Sequence, residues 1–124
     1  MTENQPQAAG PSLVWPTPFL PMSEPIEGMG IRHFAKLSKG ELVRCFEGAK
    51  QYALSNGIDP ADNMLTDAWV IAYCMCDANN NRFYTETAEI HAAADEIQKW
   101  PPDVCKHLGG IIVEFISPKK KPAN

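Results

Sequence analysis

The sequence predicts an all-α protein: a small four-helix domain preceded by an extended, proline-rich N-terminal arm. Three observations carry that expectation. Six of the eleven prolines fall within the first 25 residues, which disfavours regular structure there. From Leu37 onward, apolar residues recur at helical spacing. The segments between these runs hold helix start and stop residues rather than the turns of a β-sheet protein. The chain divides into an arm at 1–36, a helical domain at 37–117 and a basic tail at 118–124.

The arm is not an ordinary solvated linker. Between Pro11 and Pro25 the prolines alternate with Leu13, Val14, Trp15, Phe19, Leu20 and Met22, whereas disordered segments are poor in such residues. Trp15, Phe19 and Leu20 are the candidate partner-binding residues. A preformed polyproline-like segment presents such anchors at low entropic cost. They dock either on the chain's own core or on a neighbour.

The first helix, 38–55, opens with a capping box. Ser38 takes the N-cap position and Glu41 lies three residues on, with Leu37 and Leu42 placed as a hydrophobic staple. Leu42, Phe46, Ala49 and Ala53 make the expected core stripe, and Asn56-Gly57 the stop. The second helix, 60–77, is expected to start at Asp59-Pro60, as N-cap and first helical residue. Met64, Leu65, Ala68, Trp69, Ile71, Ala72, Met75 and Cys76 cover more than half of its circumference, which marks it as central. Asp77-Ala78-Asn79-Asn80-Asn81 ends it, because asparagine tolerates left-handed turns.

The third helix, 85–99, buries Ile90, Ala93, Ala94 and Ile97, with Glu86 and Glu89 in its first turn. Trp100-Pro101-Pro102 breaks the chain. A fourth helix, 102–116, restarts at Pro102 and aligns Val104, Leu108, Ile111, Ile112 and Phe115. Gly109-Gly110 weakens that helix by ~2 kcal/mol of propensity. The competing reading is a strand at 111–116, which has nothing to pair with. Leu42, Phe46, Leu65, Ala68, Trp69, Ala72, Ile90, Ile97, Leu108, Ile112 and Phe115 are the expected core.

Several function classes are disfavoured. A formal net charge of -4 argues against general phosphate-backbone binding, so a nucleic-acid partner is not expected. No apolar run approaches the ~20 residues of a membrane span, and no secretory signal opens the chain. Cys45, Cys74, Cys76 and Cys105 lack zinc-site spacing, so neither a metal nor a disulfide framework is expected. His33, His91 and His107 are scattered, and no phosphate loop, HExxH pair or nucleophile elbow is present. The sequence predicts no enzyme, no catalytic residue and no cofactor.

From Leu37 to Ser117 the layout resembles the tail assembly chaperones of long-tailed, lambda-type bacteriophages. The likeness rests on the helix opening Leu37-Ser38-Lys39-Gly40-Glu41-Leu42 and the middle helix Asp67-Ala68-Trp69-Val70-Ile71-Ala72-Tyr73-Cys74-Met75. It also rests on the acidic helix closing at Glu96-Ile97-Gln98-Lys99-Trp100-Pro101, with an apolar helix after it. The arm departs from the pattern. The resemblance implies a helical, non-enzymatic protein that coats the tape-measure protein in the host cytoplasm before the tail tube assembles. In that family a minor product carries a frameshifted extension. Lys119-Lys120-Lys121 here implies an adenine-rich run suited to slippage, or else a plain solubilising tail.

The expected partners are therefore phage structural proteins (tape-measure, tail-tube or neighbouring virion subunits) together with further copies of the chain. The alternative function is a structural virion protein, a head or tail accessory subunit that docks on neighbours through its arm. A small regulatory or nucleic-acid-binding module is a third reading, weakened by the acidic balance.

Overall fold

The computed structural model describes residues 10–61 and 63–118, with backbone only for 63–65. Burial of Met64 and Leu65 and the basic run Lys119-Lys121 lie outside that description. Residues 10–21 carry no helix or strand. The elements that follow are β1 (Met22–Ile26), β2 (Gly30–Phe34), α1 (Lys39–Ser55), α2 (Asn63–Cys74), β3 (Met75–Cys76), α3 (Thr87–Ile97) and α4 (Pro102–Ile116).

The all-α expectation is wrong: among the described residues, four helices stand beside a three-stranded antiparallel sheet, so the fold is mixed α and β. Sheet order is β1-β2-β3. Met22 pairs with Phe34 and Ile26 with Gly30, and His33 and Phe34 pair with Cys76 and Met75. The hairpin lies within the residues read as arm. Its turn uses the left-handed freedom of Gly28 and Gly30, at φ 81° and 78°. Pro25 argued against a strand, but β1 is an edge strand, where proline is tolerated.

The second helix also needs correction at both ends. It begins at Asn63, not at Pro60, because the Asp59 side chain instead accepts a hydrogen bond from Ala61 N–H at 2.9 Å and closes a turn. At its other end the chain leaves the helix after Cys74. Met75-Cys76 become β3, and Cys76 bridges to Arg82 around the asparagine turn. Asp77 holds that turn by accepting from the N–H groups of Asn79 and Asn81, and Asn80 adopts φ 68°.

The core forms around α2, which packs against α1, α3 and α4. Every residue from Ala68 to Cys74 is buried, which accounts for its near-continuous apolar run. α1 opens with the expected capping box. Ser38 Oγ accepts from Glu41 N–H at 3.2 Å, and Glu41 accepts from Ser38 N–H at 2.9 Å. Its buried face is Cys45, Ala49, Tyr52 and Ala53, rotated from the expected stripe, so that Leu42 is only half-buried and Phe46 is 39% exposed.

That rotation follows from Gly48. A Cβ there would lie 2.4 Å from the Trp69 ring, so α1 meets α2 where it has no side chain. Gly109 plays the same part on α4. A Cβ would lie 2.2 Å from the Asp67 carboxylate, which explains why a helix runs through Gly109-Gly110 despite its propensity cost. Phe115 is half-buried rather than core, with the Lys36 ammonium 4.9 Å from its ring centroid.

Candidate partner-binding surface

The arm presents its apolar residues to solvent. Trp15 is 68% exposed, Leu20 72% and Leu13 97%, while Phe19 is partly covered. Of the three candidate residues, Trp15 and Leu20 thus lie off the chain's own core. The segment is not uniformly extended: bends fall at Pro11, Val14, Pro16 and Thr17.

Among the described residues, open grooves lie on two sides of α2. The first, about 510 Å³, lies between α1, α2 and α4 and is walled by Phe46, Ala49, Val70 and Val113. Its floor is the backbone of Gly109-Gly110, with Lys50 and Asp67 contributing charge. Partial burial pushes the Asp67 carboxyl up to about 6, moderated by the positive charge of Lys106. The sequence reading missed this groove. Its signals were an aspartate in an otherwise apolar helix and a glycine pair that no turn required.

The second groove, about 670 Å³, lies between α1, α2 and α3, and Arg44, Gln51, Tyr73, Arg82 and His91 line it. Several of its polar groups are spent on the fold, whereas the Trp69 indole N–H is buried with no hydrogen-bond partner among the described residues. The Arg82 guanidinium stacks 3.6 Å from the Tyr73 ring centroid and donates to the carbonyls of Tyr73 and Tyr84, at 2.6 and 2.8 Å. Tyr52 Oη donates to Asp95 at 2.6 Å and receives the Gln98 amide, tying α1 to α3. Burial, then the Asp95 hydrogen bond, raises that phenol to about 12, so it stays protonated near neutrality. His91 packs edge-on against Tyr52 and lies 3.7 Å from Asp95. No hydroxyl or thiol nucleophile is hydrogen-bonded to that histidine among the described residues, so the cluster reads as a clamp.

The cysteines are four free, buried thiols. Burial pushes Cys76 up to about 11 and raises Cys105. Cys74 is raised well above the ordinary range by its hydrogen bond with Cys45 and by burial. Protonated, buried thiols are poor nucleophiles and poor metal ligands. Among the described residues no group of three or more His, Cys, Asp or Glu side chains converges as a metal site does, and no helix is long and apolar enough to cross a membrane.

No family model, curated protein or solved structure matches this chain.

Proposed function

We propose that this protein is a non-enzymatic phage tail assembly chaperone that binds the tape-measure protein during tail assembly. One observation carries the binding role: an arm with Trp15 and Leu20 exposed stands ahead of a well-packed core. Leaving such groups in water forgoes several kcal/mol at ~25 cal/mol per Å² of apolar area, and a partner recovers it. The chaperone class comes from the resemblance over residues 37–117. In this reading the protein acts in the host cytoplasm before the tail tube closes.

The test is co-expression with the tape-measure protein encoded in the same genome. The expected result is a soluble complex that survives size-exclusion chromatography and is lost on deletion of residues 1–21. A tape-measure protein equally soluble alone, with no complex, overturns the proposal. The same exposed arm favours one competitor, a structural virion subunit. Stoichiometric recovery of the chain from purified particles selects that reading instead.

A further inference from the structure

We infer that the groove between α1, α2 and α4 receives the arm of a second copy of this chain, with Trp15 seated on Gly109-Gly110. The inference rests on the arm-mediated binding proposed above and gives it a definite receptor.

The chemistry of groove and arm is complementary. Between Glu3 and Glu24 the sequence has no charged side chain, so the arm brings no ion of its own into the groove. The walls Phe46, Ala49, Val70 and Val113 match its aliphatic and aromatic groups. The floor is bare: Gly110 is exposed and a Cβ built there meets nothing within 4 Å, so a flat ring has open space over the helix backbone. At one side stands Asp67, half-buried, with no hydrogen-bond donor to its carboxylate among the described residues. An indole supplies an apolar body and a single N–H donor. Of the three tryptophans, Trp69 is buried in the core and Trp100 is packed against it, whereas Trp15 is exposed on the arm.

Reach and area are sufficient. Drawn out at ~3.1 Å per residue, residues 10–21 reach up to roughly 35 Å, enough to cross to a neighbouring domain. The exposed parts of Leu13, Val14, Trp15 and Leu20 amount to roughly 400–500 Å² of apolar surface, given 150–250 Å² for a buried aromatic. Two arms exchanged reciprocally, with the shallow grooves they cover, take roughly 1,000–1,200 Å² out of water, the low end for a specific interface. Reciprocal exchange is two-fold and closed, so it ends at a dimer. Within one chain Trp15 stays exposed, so the intramolecular alternative leaves the observed geometry unused.

The experiment is sedimentation equilibrium on the full chain and two variants. Gly110→Phe covers that floor from a position whose Cβ points into open space, and Trp15→Ala removes the anchor from outside the core. The wild type is expected to be a dimer, with each variant weakening association by about 30-fold or more, as loss of a hot-spot tryptophan does. A mixture of the two variants should regain partial association, because one intact arm then meets one intact groove. A monomeric wild type overturns the inference, whether the arm is free or lies in its own groove. So does a Gly110→Phe protein that folds and dimerises normally, or a Trp15→Ala protein that dimerises as wild type. Tape-measure binding is scored separately. A monomer that binds it sinks only the arm exchange, and a dimer that ignores it sinks only the chaperone role.

Discussion

Lys36 and Asn80, 44 residues apart, are joined by a reciprocal pair of hydrogen bonds. Lys36 N–H donates to Asn80 Oδ1 at 2.8 Å, and Asn80 Nδ2 donates to the Lys36 carbonyl at 3.0 Å. The asparagine side chain thus imitates a strand partner just where β2 ends and the chain turns toward α1. It does so from a left-handed residue, at φ 68°. Asn80→Ala is expected to cost about 3 kcal/mol, combining two part-buried hydrogen bonds with the left-handed penalty of a Cβ. Asn80→Gly removes only the hydrogen bonds and should cost about half as much. Urea unfolding of both variants checks the ratio; equal losses contradict this division.

The two glycines of α4 should respond in opposite senses. Gly109→Ala drives a methyl group into Asp67 and is expected to destabilise by about 2 kcal/mol. Gly110→Ala meets no atom within 4 Å and should stabilise by about 0.5–1 kcal/mol through helix propensity. Thermal melts of the pair settle whether α4 lies as close to α2 as described.

Asp67 makes stability depend on pH with a definite sign. Its folded pKa, about 6, lies above the ordinary 3.8, so between those values the native state holds more protons than the unfolded state. Stability therefore falls as pH rises from about 4 to about 6, and the loss persists above that. The carboxyl is only half-buried, so solvent screens part of the effect. Asp67→Asn should flatten that segment of the profile and raise the melting temperature near pH 7.5 by ~2–4 °C. An unchanged slope between pH 4 and 6 would refute the assignment.

The thiols should be silent in the native protein. All four are buried, and Cys74, Cys76 and Cys105 are shifted upward. A thiol reagent at pH 8 is expected to label none of them within minutes and all of them in denaturant. Rapid native labelling of any one would show that its shell opens far more often than its burial implies.

How much of this was legible in the sequence depended on whether the deciding interaction was local. Ser38 and Glu41 cap each other across three residues, and their box stands where the spacing put it. The apolar girth of α2 correctly marked the centre of the core. The hairpin escaped because β1 is stabilised by β2 and β2 by β3, and β3 is two residues that continue a helical apolar pattern. Only the turn at Asp77–Asn81 and the clamp onto Lys36 divert Met75-Cys76 from that helix. Phe46 lies on the helical stripe that the spacing marks as core, but Gly48 facing Trp69 turns that stripe away from α2. At the candidate surface, the apolar residues of the arm are visible in the composition, but the groove is not, because three helices have to meet to make it.

Pro25 has a consequence beyond the strand it sits in. β1 is the outer strand of the sheet, and in the described residues no further strand covers its far side. Such an edge templates backbone pairing between molecules, and proline and charge are the residues that blunt it. Pro25 brings no amide hydrogen, and its neighbour Glu24 reaches His107 at 3.2 Å, anchoring the edge to α4. The residue that disguises the strand from a reader of the sequence is therefore also its gatekeeper against fibrillar stacking. A concentrated solution of Pro25→Thr protein, followed by amyloid-dye fluorescence, should aggregate sooner than the wild type.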